Sequence, residues 1–157
     1  KNKIGYGRSL NLGLQKAKKL GYKIVISMDA DGEHSSESLN NFIKISKNIP
    51  LILGVRKKKR RFSEKIFCKY FEILFGVSDI MCGMRSINFK LVDKIEINSL
   101  EDELGISWLV KLLKQNIKFY EIPVDGIERK DSSRFGEGIR PNIKIIKILL
   151  KYFLKKL

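Results

Sequence analysis

The sequence contains few of the residues that build disulfide frameworks or zinc clusters: its 157 residues include two cysteines, one histidine and three prolines. Because Cys68 and Cys82 lie far apart in the chain, a disulfide-stapled domain and a cysteine–histidine zinc centre are both excluded, and reduced cytosolic thiols are the simplest interpretation. Long apolar runs are also missing, since none approaches the roughly 18 residues that a membrane-spanning helix needs.

Acidic residues are scarce as well, with 17 Asp and Glu against 32 Lys and Arg, which gives a net charge of +15. An excess of this size predicts an anionic partner such as nucleic acid, an anionic membrane or a phosphorylated substrate. The basic run at 56–61 has no aromatic residues between its charges, and no nucleic-acid motif is present, so nucleic-acid binding is disfavoured. Length and composition indicate one folded globular domain.

Hydrophobic periodicity predicts alternating helices and strands. The first helix is predicted to begin after Gly5-Tyr6-Gly7 and to stop at Gly21, and further helices are predicted over 37–47, 63–75 and 102–115 and from Pro141. Strands are predicted over 23–28, 51–55 and 118–124, and a short strand or extended loop over 79–87. This alternation predicts an α/β fold with a mostly parallel sheet and flanking helices.

The most informative stretch is Asp29-Ala30-Asp31-Gly32-Glu33-His34, directly after the first predicted strand. It falls at the carboxyl end of that strand, where open α/β sheets bind ligands. Three carboxylates within five residues repel one another, and a cation between them relieves the repulsion. Hard oxygen ligands suit Mg²⁺ or Mn²⁺, so Asp29, Asp31 and Glu33 are the predicted metal ligands. The alternative is a solvated acidic turn that caps the next helix.

Five stretches in order resemble motifs of family 2 inverting glycosyltransferases with a GT-A fold, in particular the dolichyl- and polyprenyl-phosphate sugar synthases. They are Gly5-Tyr6-Gly7, the acidic loop, Leu53-Gly54-Val55-Arg56, Asp79-Ile80-Met81-Cys82-Gly83-Met84-Arg85, and Glu121-Ile122-Pro123-Val124 with Arg129 and Ser133. The resemblance covers residues 2 to about 138. Glu33 replaces a family Gln and Met84 a family Phe, and the family's opening nucleotide-binding strands have no counterpart. We therefore expect a partial, C-terminal portion of the catalytic domain.

The resemblance implies transfer of a hexose from a nucleotide-sugar donor to a polyprenyl phosphate, with inversion and with Mg²⁺ or Mn²⁺ assisting. The implied catalytic residues are Asp31, Arg56, Asp79 and Arg129; the cofactor-binding residues are Asp29, Asp31 and Glu33; and the substrate-binding residues are Arg56, Ser63, Arg85, Arg129 and Ser133. Plainer interpretations stay open: a solvated basic loop for Arg56, a turn-capping carboxylate for Asp79, and an exposed loop rather than a substrate flap at 126–138.

The chain is expected to divide into a partial catalytic domain, 1–140, and a basic amphipathic helix, 141–157. Lysines recur along one stripe of that helix, and apolar residues cover the rest of it: Lys144, Lys147, Lys151 and Lys155 form the stripe. Such a helix either lies in a bilayer interface or packs on the body of the protein. The first case predicts a peripheral protein on the cytoplasmic face of a membrane.

Two other functions stay open at this point. The first is a family 2 glycosyltransferase that acts on a polysaccharide or glycolipid acceptor. The second is a non-catalytic, membrane-associated protein derived from a glycosyltransferase. Donor turnover separates the second from an enzyme.

Overall fold

The computed structural model describes residues 5–30, 34–57, 61–92, 95, 97, 104–125 and 139–154. The elements in chain order are α1 (Tyr6–Lys19), β1 (Ile24–Ser27), α2 (Ser36–Ile45), β2 (Leu51–Arg56), α3 (Phe62–Phe75), β3 (Arg85–Asn88), α4 (Ser107–Lys114), β4 (Phe119–Val124) and α5 (Ile139–Leu154). The predicted alternation of helices and strands is confirmed. The fourth helix, predicted over 102–115, begins at Ser107.

The four described strands form one sheet in the order β1-β3-β2-β4. β2 and β4 are parallel, whereas β3 is antiparallel to both β1 and β2. The prediction of a mostly parallel sheet is therefore wrong, because the sheet is mixed. β1, β2 and β4 nevertheless point the same way, so their carboxyl ends share one edge of the sheet.

The direction of β3 follows from how the chain leaves α3. The helix ends at Gly76, which adopts a left-handed conformation with φ 72° as its C-cap, as is common where a helix must stop. Residues 78–84 then return the chain to the carboxyl edge, where Asp79 accepts a hydrogen bond from the backbone N–H of Arg56. A strand that enters the sheet from this edge runs opposite to its neighbours.

Both faces of the sheet are covered by apolar side chains. Successive side chains of β2 point to opposite faces and join different clusters. Leu51 and Leu53 join a large cluster with residues of α1, α3, α4 and α5, whereas Ile52 joins a smaller cluster that includes Phe42 of α2. Met84, which stands where the resembled family has Phe, is fully buried in the smaller cluster. Position 54 requires glycine, because a Cβ there would lie 2.6 Å from the Val124 side chain and 2.9 Å from the Met84 carbonyl oxygen.

The last helix, α5, packs on the body of the protein through α3. Ile145 and Ile148 are buried in the large cluster, and the ring of Tyr152 lies 5.7 Å from that of Phe71, edge to face. Within the described part of the chain, no helix has the length and apolarity needed to cross a membrane.

Candidate active site

Three predicted site residues meet at the carboxyl edge of the sheet. Asp29 follows β1 and Arg56 ends β2. Asp79 lies in the segment that leads into β3, which begins at this same edge. Because β1 and β2 share a direction while β3 opposes them, the mixed sheet places Asp29 and Asp79, which are 50 positions apart in sequence, at the same edge.

Arg56 and Asp79 form a two-pronged ion pair. The guanidinium donates from Nε to Oδ2 at 2.8 Å and from Nη2 to Oδ1 at 2.9 Å. The Asp79 side chain is fully buried, and that of Arg56 is 21% exposed. Burial by itself raises the pKa of Asp79, but its hydrogen bonds with Arg56 outweigh burial and hold the pKa below its ordinary value. For Arg56, burial lowers the pKa, and the Asp79 carboxylate more than offsets this and raises it. The fork of Arg56 is thus engaged by protein.

Glu64 extends this pair into a cluster of four charges, a role that the sequence analysis missed. Its carboxylate is buried and lies 2.8 Å from Arg61 Nη1 and 3.2 Å from Arg56 Nη1. The contact with Arg61 has hydrogen-bond geometry, whereas the contact with Arg56 is an ion pair without it. The charges of two arginines and two carboxylates therefore cancel within this cluster at the edge. The three-residue spacing from Arg61 to Glu64, at the start of a helix, was the available sequence signal.

The buried thiol of Cys68 also contacts Asp79, donating to Oδ1 at 3.3 Å. Burial and the neighbouring carboxylate raise the pKa of Cys68 to about 12, and burial raises the pKa of Cys82 to about 11. Both cysteines are free thiols, and both are buried. They line the site as small, protonated groups.

Asp29 is held from three directions. Its backbone N–H donates to Nδ1 of His34 at 3.1 Å, so the lone histidine is a hydrogen-bond partner of the acidic loop. Its carboxylate lies against Gly83 so closely that a Cβ on that glycine would be 2.2 Å from Oδ2. The same carboxylate accepts a hydrogen bond from the Tyr6 hydroxyl.

Tyr6 was identified from the sequence only as part of a helix entry, yet it contacts the acidic loop directly. Burial of its hydroxyl, with a contribution from the charge of Asp29, raises the pKa of Tyr6 to about 12, although the ring is partly exposed. The phenol is therefore protonated and able to donate at any physiological pH.

The described part of the acidic loop is compatible with a hard divalent cation. Asp29 offers a half-buried carboxylate at the carboxyl edge, and its contacts with Tyr6 and Gly83 fix where that carboxylate lies. Asp31 and Glu33 lie outside the described residues. Among the residues that are described, no three His, Cys, Asp or Glu side chains gather closely enough to hold a metal. The set of Asp29, Asp31 and Glu33 stays a prediction.

Arg85 and Ser63 have structural contacts in the places where substrate contacts were predicted. The buried Arg85 guanidinium donates to the carbonyl oxygens of Cys82 at 2.8 Å, Gly105 at 2.7 Å and Ile80 at 3.0 Å. The Ser63 hydroxyl donates to Oδ1 of Asn142 at 2.6 Å and ties α3 to α5. Their substrate-binding roles stay predictions, and the contacts give both residues a part in shaping the edge.

Glu121, from the Glu-Ile-Pro-Val stretch, positions the segment that carries Asp79. Its two carboxylate oxygens accept from the backbone N–H and from the hydroxyl of Ser78, both at 2.7 Å. Beyond the carboxyl ends of β2 and β4, Lys57 and Asp125 form an exposed ion pair. Arg129, Ser133 and the whole 126–138 segment lie outside the described residues.

Comparison with known proteins finds distant similarity to glycosyltransferases. It is 24% identical over 159 residues to polyprenol monophosphomannose synthase of Mycolicibacterium smegmatis, covering 88% of this chain and 59% of that protein. It is 22% identical over 153 residues to undecaprenyl-phosphate mannosyltransferase of Micrococcus luteus, covering 87% and 63%. An uncharacterized protein of Methanocaldococcus jannaschii is 24% identical over 174 residues, covering 98% and 68%. No protein-family model matches the chain.

These similarities support a family 2 glycosyltransferase-like relationship, in agreement with the motifs. The α/β architecture with a mixed sheet is compatible with a Rossmann-like fold. The chain spans about three-fifths of the length of the two relatives that are named as mannose synthase and mannosyltransferase.

Proposed function

We propose that this chain belongs to an enzyme that transfers a hexose from a nucleotide-sugar donor to a polyprenyl phosphate. The observation that carries the proposal is that Asp29 and the Arg56–Asp79 ion pair, which come from three of the motifs, lie at the same edge of the sheet. Distant relatives named as a polyprenol monophosphomannose synthase and an undecaprenyl-phosphate mannosyltransferase support the acceptor class and make mannose the first sugar to test.

The acidic loop is proposed to bind the donor diphosphate through Mg²⁺ or Mn²⁺. When bound, such an ion neutralises the charge that develops on a departing nucleoside diphosphate. The task of this chain is to hold oxygen ligands in place, with Asp31 and Glu33 beside Asp29. Tyr6 and Gly83 fix the Asp29 carboxylate, so these two residues are proposed as positioning residues of the metal loop.

The state of Asp79 fits an acceptor that needs no strong general base. A phosphate monoester has a second pKa of about 6, so its oxygen is largely ionised at neutral pH and is itself a competent nucleophile. Asp79 is fully buried and bound by Arg56 and Cys68. We therefore assign Asp79 and Glu64 to positioning Arg56, which is the most exposed charged group of this cluster.

Arg56 is proposed to face the anionic substrate, together with Arg129 and Ser133 of the 126–138 segment and with Ser63 nearby. An arginine that is already fixed by two carboxylates is rigid, and its remaining N–H groups are oriented before substrate arrives. A lipid-borne acceptor places the reaction at a membrane surface, which we propose to be the cytoplasmic face, with this part of the enzyme peripheral to it.

The test is to identify the acceptor. The full encoded protein is incubated with a radiolabelled nucleotide sugar and, in parallel, with polyprenyl phosphate, a glycolipid or an oligosaccharide. The proposal predicts an organic-soluble, acid-labile polyprenyl phosphate sugar and no product from the other two acceptors. Label in the glycolipid or oligosaccharide would select the other glycosyltransferase function, and no product with any donor would select the non-catalytic one.

A further inference from the structure

The exposed surface of α5 is divided into two stripes. Its buried side, which includes Ile145 and Ile148, faces α3. One exposed stripe is apolar and contains Ile139, Ile143, Leu150, Phe153 and Leu154. The other is basic and contains Arg140, Lys144, Lys147 and Lys151. Because a helix turns about 100° per residue, the apolar stripe lies roughly opposite the buried side, and the basic stripe runs beside it along one edge.

The neighbouring helix α3 continues the apolar stripe. Phe62, Ile66 and Ile73 are exposed, and their spacing of four and seven residues puts them on one side of the helix. Tyr70 lies on the same side, and its ring is 6.3 Å from that of Phe153. This contact turns the exposed side of α3 toward the apolar stripe of α5.

The two helices run in the same direction, which makes the joint surface continuous. Their first turns meet at the hydrogen bond from Ser63 to Asn142, and their later turns meet where Tyr70 and Phe71 contact α5. Along this length Phe62, Ile73 and Leu154 keep 75%, 73% and 77% of their surface exposed. We name this two-helix surface, with its basic border on α5, the α3–α5 face.

We propose that the α3–α5 face docks on an anionic lipid bilayer, with its apolar side chains among the acyl chains and the basic stripe of α5 at the headgroups. An apolar surface of this extent is costly to leave in water. A basic border is what distinguishes a bilayer from an apolar protein partner, because anionic headgroups surround an acyl layer in the same arrangement. The net charge of +15 adds long-range attraction to such a surface.

The docking would bring the candidate active site to the lipid, because α3 contributes to both. Phe62 points outward from the first turn of α3, whereas Glu64, two residues later, points inward and pairs with Arg56. The α3–α5 face thus gives the proposed function a position at the bilayer. Its derivation uses only the two helices, so it is tested without any sugar transfer.

The test uses single labels on the full encoded protein. Both thiols of this chain are buried and protonated, so an introduced surface cysteine reacts in preference to them with an environment-sensitive dye. The unsubstituted protein, treated with the same dye, measures labelling at any other cysteine. Ile73→Cys and Leu150→Cys place the dye on the α3–α5 face. Glu72→Cys is the matched control, since it is exposed on the polar side of α3 next to Ile73. The probes are vesicles of phosphatidylcholine with phosphatidylglycerol and vesicles of phosphatidylcholine alone.

The expected result is a blue-shifted emission and quenching by acyl-brominated lipid at positions 73 and 150, with no shift at 72. Dyes on the α3–α5 face that stay in water in the presence of anionic vesicles would overturn the proposal, whether or not the protein binds those vesicles. Dyes that are buried before lipid is added would also overturn it, because a second copy or another segment would then cover the face. Concentration dependence separates those two occupants.

Charge variants test the basic border separately. Reversing Arg140 and Lys147 together, as Arg140→Glu and Lys147→Glu, should lower partitioning into anionic vesicles at least about tenfold. Lys16→Glu with Lys19→Glu on α1 makes the same charge change away from the α3–α5 face and should change partitioning much less. Equal effects from the two pairs would contradict docking through this face.

Discussion

Replacing Asp79 by Asn removes the charge at the centre of the buried cluster while keeping the side chain's shape. Arg56 then loses the charge of its partner and one of the two side-chain acceptors, because an amide NH2 replaces one carboxylate oxygen, and it keeps its contact with Glu64. Breaking one partner out of a buried ion pair costs about 3–5 kcal/mol. Because Arg56 is 21% exposed and retains Glu64, we expect the lower end, a loss of about 3 kcal/mol in the free energy of unfolding.

The same substitution has a predicted pH dependence. The native-state pKa of Asp79 lies below its ordinary value of 3.8. The ionised carboxylate therefore stabilises the fold fully at pH values above that ordinary value. This contribution is lost as the pH falls through the native pKa. The difference in stability between wild type and Asp79→Asn should be constant from neutral pH to about 5 and should shrink below about 4.

Urea unfolding measures both effects. For an m-value of about 2 kcal/mol per molar, a loss of about 3 kcal/mol lowers the midpoint by about 1.5 M. Asp125→Asn is the matched control, because Asp125 pairs with Lys57 on the exposed edge and should change the midpoint little. An Asp79→Asn midpoint within the error of wild type at neutral pH would refute the buried cluster as a stabilising unit.

Three further predictions concern the loops that carry the site. Gly83→Ala should displace the Asp29 carboxylate and weaken Mn²⁺ binding, measured by calorimetry, at least about tenfold with an unchanged circular dichroism spectrum. Glu121→Gln places an amide NH2 donor against a donor of Ser78 and should lower the free energy of unfolding in urea by about 1–3 kcal/mol. Glu72→Gln, on the exposed side of α3, is the control and should lower it little. Arg129→Lys keeps the charge but loses the planar fork, so the rate of sugar transfer should fall markedly while the urea midpoint is unchanged. An unchanged rate would show that Arg129 has no role in sugar transfer and would favour the exposed-loop interpretation.

The periodic parts of the fold could be predicted from the sequence because they are encoded locally. The continuous apolar run before Asp29 and the stretch from Leu51 predict strands that are covered on both faces, and the structure has β1 and β2 there. Only β2 is buried, over its first four residues, whereas β1 is half-buried along its whole length. The direction of β3 could not be predicted in this way. A strand's direction depends on the edge from which the chain enters the sheet, and that depends on the loop after Gly76.

The candidate site was predictable as a set of motifs and less so as a set of contacts. Arg56 and Asp79 were identified separately, but residue spacing does not show that each is the partner of the other. Tyr6 and Glu64 were not identified as site residues. Tyr6 contacts Asp29, which is distant from it in sequence. Glu64 belongs to a helix whose charged residues resemble those of a solvated surface, yet its side chain points inward to Arg56. Arg85 resembles an anion-binding arginine in sequence, yet its guanidinium is occupied by three carbonyl groups.

Sugar transfer at the edge that carries Asp29 is tested by the initial rate of transfer to polyprenyl phosphate. The rate is measured for the full encoded protein and for Asp29→Asn, each with Mn²⁺ or Mg²⁺ and with excess chelator. We predict turnover by wild type with the metal, and loss of that turnover both in Asp29→Asn and under chelation. A rate that is unchanged by Asp29→Asn and by the chelator would contradict the account.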